Sequence, residues 1–472
     1  MTLAELGGAR VLILGLGREG IETYRFVRGE FPANTIGVAD RLPIQRLAPE
    51  MQRAIKADAN VVAHLGEDYL TSLADYDVVV RSPGVPLNRP ALGAVASRGV
   101  RVTSHTEIFL ANCPATTIGV TGTKGKSTTA SLIDAILRAG GRDTHLVGNI
   151  GVPPLGLLRT LSADSFAVLE LSSYQLDGIG RSPHVAVLLN IVPEHLDLHG
   201  GFENYVRAKQ NITRFQSAGD ILVYNAMYPI PAQTAVATSA RPFAFSFDAT
   251  PEPGSFLDAD NVVYRGERGA AEVIMPVRDV PLPGRFNLQN VLAAVTVGAV
   301  LGVGREEIAG AVRAFKPLAY RLEPVGSYRG IAFYDDPLAT IPQATIAALD
   351  ALGPDVATVL LGGYDRGLDM SDLARRLRNS AVRTVILFPP SGTRIGEALE
   401  REYQSDAALP KSFLTTDMRT AVTLAYQNTP PGKICLHSPA SPSFGLFKDY
   451  AERGDLFRRY VRELGSESPA TQ

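Results

Sequence analysis

The sequence predicts an α/β protein made of three successive domains. At 472 residues the chain is too long for one hydrophobic core, since single cores stop growing near ~250–300 residues. Apolar runs of strand length alternate with segments of helical spacing from end to end, a pattern typical of parallel sheets covered by helices. We place the domains at residues 1–110, 111–317 and 318–464, followed by a polar tail at 465–472.

Charge and cysteine content exclude several classes of protein. The net charge of -2 gives no electrostatic attraction to nucleic acid or to an anionic membrane. Cys113 and Cys435 are the only cysteines, and they form neither a disulfide framework nor a zinc-binding spacing. The apolar stretch at residues 11–16 is too short for a signal peptide or a membrane span. We therefore expect a cytoplasmic protein, and we expect it to be a monomer.

The first domain opens with a strand, a glycine-rich turn and a helix. The turn reads Gly15-Leu16-Gly17-Arg18-Glu19-Gly20, and the next strand ends at Asp40-Arg41. This is the Rossmann-like arrangement, with a helix N-terminus for a pyrophosphate and an acidic residue about twenty positions on for a ribose. A later strand runs into the rigid turn Ser82-Pro83-Gly84 at the same sheet edge. The alternative is that these glycines merely let helix and strand pack closely.

The second domain is organised around a phosphate-binding loop. The stretch that begins at Ile118 reads as a strand, the loop Thr121-Gly122-Thr123-Lys124-Gly125-Lys126-Ser127-Thr128 follows, and a helix continues from there. Glycines let several backbone N–H groups converge, the helix adds the positive end of its dipole, and a lysine beside Ser/Thr supplies a phosphate cation and a magnesium ligand. The loop therefore predicts a P-loop-type site for a nucleoside triphosphate. The alternative is a glycine-rich turn with a solvated lysine.

Three ionisable residues downstream are candidates for metal-assisted chemistry. Glu170 ends an apolar strand, where a buried carboxylate is costly unless it is paired or bound to a metal. His195 follows the next core strand and could bind magnesium or a phosphate oxygen, although a hydrogen-bonded loop histidine is equally compatible. Lys209 lies on a helix predicted over residues 202–215, where most lysines are solvated.

Asparagines mark two further positions. Asn149 lies in a turn at a strand end, and Asn287 and Asn290 share one face in the first turn of a long apolar helix. Their amides could contact a base, a ribose or phosphate oxygens, with helix capping as the alternative for Asn287. The intervening residues 228–282 are rich in Pro and Gly and predict short strands and loops.

The third domain predicts another parallel α/β sheet, Rossmann-like in its alternation of strands and helices. An acidic pair, Asp335-Asp336, ends one strand, and the loops 362–367 and 438–444 follow two others. Loops at the carboxyl edge are where such sheets bind ligands.

Taken together, these motifs resemble the Mur ligase family, the ATP-dependent amino-acid ligases of bacterial cell-wall precursor synthesis. The most specific stretches are the loop at 121–128, Gly148-Asn149-Ile150-Gly151, residues 170–176, Glu194-His195-Leu196-Asp197 and residues 205–209. The resemblance covers nearly the whole chain and is greatest to the branch that adds glutamate to UDP-N-acetylmuramoyl-L-alanine. It implies that the first domain binds the UDP end, the second binds ATP, and the third brings the amino acid.

The resemblance also implies a mechanism. ATP converts the carboxylate of the muramoyl substrate into an acyl phosphate, which the amine of glutamate attacks. Magnesium, at two sites, and a carbamylated Lys209 are expected. The implied catalytic residues are Lys126, Glu170, His195 and Lys209, and the implied metal ligands are Ser127, Glu170, His195 and Lys209.

Substrate contacts are implied in the same way. For ATP they are Gly122, Thr123, Lys124, Gly125, Lys126, Ser127, Thr128, Asn287, Asn290, Arg321 and Asp336, the last of these at the ribose. For the UDP-sugar they are Gly15, Leu16, Gly17, Arg18, Asp40, Arg41, Ser82, Pro83, Gly84 and Asn149. For the amino acid they are His195, Thr340, Arg366, Ser443, Phe444 and Tyr450.

The chain departs from the family pattern in the amino-acid pocket. Leu338 stands where a lysine is usual, and Arg366 stands where a lysine usually meets the incoming glutamate. A guanidinium grips a carboxylate as a planar fork, so this change alters angles more than charge. Phe444-Gly445 and Tyr450 also differ from the usual residues. We therefore predict L-glutamate as the acceptor, with D-glutamate as the alternative.

Functions of other classes remain possible at this point. A nucleotide-dependent dehydrogenase would use the Gly15 turn but leaves the Lys126 loop unexplained. Folylpolyglutamate synthase shares the central motifs but lacks the leading UDP domain. A nucleotide-binding scaffold without catalysis is compatible with the missing lysine at Leu338.

Overall fold

The structure, a computed structural model, describes residues 1–194, 199–267, 269–403 and 409–466. Its contacts divide the chain into two compact units. The larger unit comprises residues 1–280 and 289–315, and the smaller unit comprises 281–288 and 316–472. Three sheets and sixteen α-helices are present in the described ranges, which confirms the predicted α/β class. Within those ranges no helix is both long and apolar enough to cross a membrane.

The first sheet has the doubly wound order β3-β2-β1-β4-β5, and all its strands are parallel. The order reverses between β1 and β4, so their carboxyl ends open a crevice for a ligand. Its elements are α1 (Leu3–Gly7), β1 (Val11–Leu14), α2 (Arg18–Glu30), β2 (Ile36–Asp40), α3 (Pro49–Ala57), β3 (Val61–Leu65), β4 (Val78–Arg81), α4 (Pro90–Ala96), β5 (Arg101–Ser104) and α5 (His105–Asn112).

The second sheet has nine strands in the order β14-β13-β12-β11-β10-β9-β6-β8-β7. Strands β6 to β12 are parallel where they pair, and β12 to β14 form an antiparallel extension. Its first elements are β6 (Thr116–Thr121), α6 (Lys126–Ala139), β7 (Thr144–Gly148), β8 (Phe166–Glu170), α7 (Ser173–Leu176), β9 (Val185–Leu188) and α8 (Phe202–Arg214). The later elements are β10 (Ile221–Asn225), α9 (Pro229–Ala237), β11 (Arg241–Phe245), β12 (Gly254–Asp258), β13 (Asn261–Arg265), β14 (Ala271–Pro276), α10 (Arg285–Val300) and α11 (Arg305–Ala314).

One prediction for this region was wrong in part. Residues 229–237 form α9, a helix in the stretch expected to hold only strands and loops. Pro229 and Pro231 lie in its first turn, where the missing N–H groups have no intrahelical partner to lose. Proline content therefore did not exclude a helix here.

The third sheet lies in the smaller unit, in the order β15-β16-β20-β17-β18-β19. Only β15 runs antiparallel to its neighbour. Every residue of β17 is buried, as expected for a central parallel strand with helices on both faces. Its elements are β15 (Glu323–Tyr328), β16 (Ile331–Asp335), α12 (Pro342–Leu352), β17 (Val356–Gly362), α13 (Ser371–Arg378), β18 (Thr384–Phe388), α14 (Ser391–Tyr403), β19 (Lys411–Leu414), α15 (Met418–Asn428), β20 (Ile434–His437) and α16 (Tyr450–Ser466).

Candidate active site

The glycine loop between β6 and α6 forms the predicted cradle. Gly125 adopts a φ of +89°, a conformation that favours glycine, and α6 begins at the next residue. A Cβ atom at Gly125 would lie 2.3 Å from Oδ1 of Asn290. The Nζ atom of Lys126 donates hydrogen bonds to the carbonyl oxygens of Gly122 and Thr123, each at 3.0 Å. The lysine therefore folds back over the loop that it follows.

Three side chains that were not among the predicted site residues fix this loop. The amide of Asn190 accepts from the backbone N–H of Lys124 at 2.9 Å and donates to the Lys124 carbonyl oxygen at 3.1 Å. Thr129 donates to Oδ1 of Asn290 at 3.2 Å. The hydroxyl of Tyr205 lies 3.0 Å from that of Thr123. Asn190 lies two residues after the end of the buried strand β9, which is the one signal that could have identified it.

Glu170 ends β8 beside this loop and is 3% exposed. Its Oε1 atom accepts a hydrogen bond from the Asn149 amide at 3.2 Å. Its Oε2 atom is buried and has no hydrogen-bond partner among the described residues. An orphaned carboxylate oxygen of this kind fits a hard cation such as magnesium. Across the described ranges, no three His, Cys, Asp or Glu side chains form a cluster that could hold a metal ion.

Lys209 is 1% exposed, unlike most lysines on helices. Its Nζ atom donates to the carbonyl oxygen of Gly122 at 2.8 Å and to Oγ1 of Thr121 at 3.3 Å, and lies 4.9 Å from the ring centre of Tyr205. Burial, followed by the charge of Lys126, holds the pKa of Lys209 well below its usual value of 10.5. The structure thus brings Lys126 and Lys209 to the same carbonyl oxygen.

His195 lies outside the described residues, so its predicted role stays a prediction. Its neighbourhood is partly described. Glu194 accepts a hydrogen bond from Nζ of Lys124 at 2.7 Å. His199 stacks on Tyr174 with ring centres 4.8 Å apart, and its Nε2 atom lies 2.9 Å from Oγ of Ser173.

The glycine turn after β1 forms the second predicted cradle. A Cβ atom at Gly20 would lie 1.9 Å from the carbonyl oxygen of Gly15, so only glycine lets α2 approach this closely. Ser82 donates to that same carbonyl oxygen at 2.6 Å. The Asp40 carboxylate accepts from the backbone N–H groups of Leu16 at 2.7 Å and Leu42 at 2.9 Å. Asp40 therefore fixes the turn, and its contact with a ribose stays a prediction.

Two side chains from α2 connect this cradle to Glu170's surroundings. Arg18 donates to the carbonyl oxygens of Asn149 at 3.3 Å and Gly151 at 3.0 Å. Glu19 accepts from the Gln175 amide at 2.6 Å, and burial raises the pKa of Glu19. Arg18 and Asn149 were predicted from the sequence, whereas the pair of Glu19 and Gln175 was not.

Several of the remaining predicted residues lie in the smaller unit. The Asp336 carboxylate accepts from the Leu322 N–H at 3.2 Å and from Ser438 Oγ at 3.1 Å, and burial raises its pKa to about 7. Arg366 is exposed on the loop after β17. Phe444 and Tyr450 are also exposed and meet Tyr364 and Tyr320, respectively, edge to face. Ser443 is buried, and Thr340, Leu338 and Arg321 lie in the same unit.

Known proteins of one family match this chain along nearly its whole length. Three family models match: the Mur ligase MurD-like N-terminal domain at residues 9–104, the Mur ligase middle domain at 120–298 and the Mur ligase glutamate ligase domain at 320–441. The chain is 36% identical to the UDP-N-acetylmuramoylalanine-D-glutamate ligase of Symbiobacterium thermophilum, covering 97% of this chain and 98% of that one. It is 38% identical to the UDP-N-acetylmuramoyl-L-alanine-L-glutamate ligase of Salinispora tropica, covering 98% and 99%.

Solved structures share the fold. The crystal structure of the UDP-N-acetylmuramate-alanine ligase MurC from Thermotoga maritima matches with a TM-score of 0.59 and 15% identity, covering 98% of this chain and 100% of that one. MurF from Acinetobacter baumannii matches with a TM-score of 0.58 and 19% identity, covering 98% and 93%.

Proposed function

Because the chain belongs to the Mur ligase family of ATP-dependent ligases, we propose that it joins glutamate to UDP-N-acetylmuramoyl-L-alanine in peptidoglycan precursor synthesis. The full-length relatives support the substrate pair, since their names give glutamate as the amino acid whichever isomer they take. We also propose that the protein is a cytoplasmic monomer and that the domains end at residues 110, 317 and 464.

The convergence of Lys126 and Lys209 on the Gly122 carbonyl oxygen carries this proposal. A carboxylate is a poor acyl donor, and transfer of the γ-phosphoryl group of ATP gives ADP and an acyl phosphate. The amine of glutamate then attacks the acyl carbon, the amide bond forms, and phosphate leaves. Lys126 and the amides of residues 122–128 would stabilise the charge on the transferred group. The Gly15 turn, with Arg18 and Asn149, would hold the UDP-sugar.

The residues around the loop fit magnesium. The buried Oε2 atom of Glu170 and the hydroxyl of Ser127 are the hard oxygen donors that this ion prefers, and His195 would complete a second site. Bound magnesium would screen the charges of the phosphoryl oxygens and the reacting carboxylate.

Lys209 fits such a cluster only after modification. An ammonium group would repel a cation, whereas a carbamate would offer it anionic oxygens. Burial and the neighbouring Lys126 favour the neutral amine, which is the form that reacts with carbon dioxide. These contacts support carbamylation of Lys209.

L-glutamate is the isomer that we propose. The exposed Arg366 offers a carboxylate a planar fork. Leu338 stands where the family usually has a lysine, so that second cation is missing from this chain. Relatives named as L-glutamate ligases are 38% identical to the chain in Salinispora tropica and a Micromonospora strain, and 35% identical in Xanthomonas oryzae. Relatives named as D-glutamate ligases reach 34–36% identity.

The test is a ligation assay with purified protein, UDP-N-acetylmuramoyl-L-alanine, ATP and magnesium against a panel of L- and D-amino acids. We expect phosphate release that requires both the muramoyl nucleotide and glutamate, with a higher kcat/KM for L-glutamate. A higher kcat/KM for D-glutamate would overturn the isomer assignment. ATP binding without phosphate release under any combination would support a non-catalytic scaffold instead.

A further inference from the structure

The loops that carry the proposed amino-acid contacts are joined by a buried arginine of α16. Arg453 is 1% exposed. Its Nη2 atom donates to the carbonyl oxygen of Pro337 at 2.7 Å, and its Nη1 atom donates to that of Ser441 at 3.0 Å. Pro337 lies in the loop at 336–341, which carries Thr340, and Ser441 lies in the loop at 438–449, which carries Ser443. One guanidinium therefore connects the loops that follow β16 and β20.

The loop that follows β17 is hydrogen-bonded to the loop at 438–449. The loop at 363–370, which carries Arg366, begins with Gly363, and Tyr364 donates its N–H to the Pro442 carbonyl oxygen at 2.8 Å. The Ser391 hydroxyl lies 3.0 Å from the Gly363 carbonyl oxygen and 2.7 Å from the Ser441 hydroxyl. A Cβ atom at Gly363 would lie 2.3 Å from the Pro442 carbonyl oxygen and 3.1 Å from Nη1 of Arg453. The three loops thus meet around the arginine with no room for a further side chain.

We propose that Arg453 is a positioning residue for the amino-acid pocket, setting the relative placement of the three loops that carry Thr340, Arg366 and Ser443. This inference rests on the proposed function of these loops in binding glutamate. Burying a cation is costly unless its donors are paired, and here two main-chain oxygens accept from Nη1 and Nη2 of one rigid plane, while the buried Nε atom has no hydrogen-bond partner among the described residues. The pKa of Arg453 is lowered only to about 10 by burial, so the side chain remains charged at neutral pH.

A lysine cannot reproduce this arrangement. Its single ammonium has no planar fork with which to hold two carbonyl oxygens at fixed separation, although it keeps the charge and much of the volume. In Arg453→Lys the loops would lose the paired hydrogen bonds that connect them, while the strands of the sheet beneath them stay paired. Small displacements of binding groups weaken substrate capture strongly.

Arg458 provides a matched control on the same helix. It is 8% exposed and is bonded to the carboxylates of Glu323 at 3.0 Å and Asp335 at 2.8 Å, and also to Asp455. Its partners lie on β15, at the end of β16 and on α16 itself. Arg458→Lys therefore tests whether weakening the packing of α16 is enough to change glutamate binding.

The experiment compares wild type, Arg453→Lys and Arg458→Lys by steady-state kinetics with both isomers of glutamate, alongside thermal unfolding. For Arg453→Lys we expect the KM for L-glutamate to rise about tenfold or more, kcat and the KM values for ATP and the muramoyl nucleotide to change much less, and the L-to-D ratio of kcat/KM to fall. For Arg458→Lys we expect a lower Tm with KM for glutamate and the isomer ratio unchanged. Equal effects of both variants on KM, or none from Arg453→Lys, would overturn the proposal.

Hydrogen exchange gives a measurement that does not depend on activity. In Arg453→Lys, amides of the loops at 336–341, 363–370 and 438–449 should gain exchange together, whereas in Arg458→Lys they should not. Faster exchange in only one of the three loops would contradict the proposal that Arg453 holds all three. If the two variants show this pattern of exchange but wild-type protein ligates no glutamate, the proposed function fails and the anchoring role of Arg453 stands.

Discussion

The Nζ atoms of Lys126 and Lys209 both donate a hydrogen bond to the carbonyl oxygen of Gly122, at 3.0 and 2.8 Å. Two ammonium groups this close to one oxygen would repel each other, so the arrangement favours a neutral amine at the more deeply buried lysine. This arrangement fits the proposed roles of the two lysines, with Lys126 as the cation for the phosphoryl group and Lys209 as the side chain that is carbamylated.

Replacing Lys209 should increase stability while it abolishes ligation. Because burial lowers the pKa of Lys209 from 10.5, the unfolded state binds more protons below that pH, and wild-type protein is destabilised as the pH falls. Lys209→Met removes the ionisable group and with it this destabilisation, and we expect a gain of about 1 kcal/mol or more in the free energy of unfolding at pH 7. Chemical denaturation of both proteins at pH 7 and pH 10 measures the difference in unfolding free energy. Lys209→Arg, which keeps a charge, should lose both activity and stability, and a destabilised Met variant would contradict the argument.

Carbamylation predicts a dependence on carbon dioxide. Wild-type protein depleted of carbon dioxide and bicarbonate should lose ligation activity, and added bicarbonate should restore it. Intact-protein mass spectrometry at neutral or alkaline pH should detect one carboxylate adduct that Lys209→Met lacks. Full activity in depleted buffer would exclude the modification as a requirement.

Lys126→Ala should reduce kcat by about a thousandfold or more, because its ammonium group is proposed to stabilise charge on the phosphoryl group in the transition state. Phosphate release is the measurement. Lys433→Ala is the control, since Lys433 is an exposed lysine paired with Asp355 in the smaller unit. Retention of most of the wild-type rate in Lys126→Ala would remove the loop from the mechanism.

Gly20→Ala should disrupt the cradle after β1. The added methyl group would lie 1.9 Å from the Gly15 carbonyl oxygen, so the backbone must move, and we expect a loss of about 2 kcal/mol or more together with a higher KM for the muramoyl nucleotide. Gly29→Ala is the control, because Gly29 lies on the same helix with nothing within 4 Å of its position. It should leave the KM unchanged and slightly stabilise the helix. Unchanged kinetics in Gly20→Ala would be incompatible with this geometry.

Arg366→Ala should mainly raise the KM for glutamate, by about tenfold or more, because it removes a charge proposed to meet the carboxylate rather than one at the phosphoryl group. Arg375→Ala, at an exposed arginine paired with Asp372 on α13, is the comparison. Parallel losses of kcat and kcat/KM in Arg366→Ala would assign Arg366 a role in the transition state instead.

Much of the fold follows from local pattern, whereas the buried polar contacts do not. The phosphate-binding loop, the Gly15 turn and Glu170 could be located because glycine spacing and a carboxylate after an apolar run carry local signals. Residue type and helical position alone did not mark Lys209, which was predicted from the family resemblance, because its burial is produced by Tyr205 and by a loop far away in the sequence. Arg453 carried no signal at all, because its partners are main-chain oxygens that no residue pattern marks. Helix α9 was missed because prolines at a helix start look like prolines in a loop.

Arg18, Asn149 and Glu170 form a short bonded series, from the first turn of α2 through the turn after β7 to the buried carboxylate at the end of β8. A compound seated on that first turn and displacing Arg18 would perturb the proposed phosphoryl-transfer centre without occupying the proposed nucleotide pocket. If magnesium binds at Glu170 as proposed, thermodynamic reciprocity requires that the compound and magnesium weaken each other's binding by the same factor. Inhibition of that kind would persist at saturating ATP.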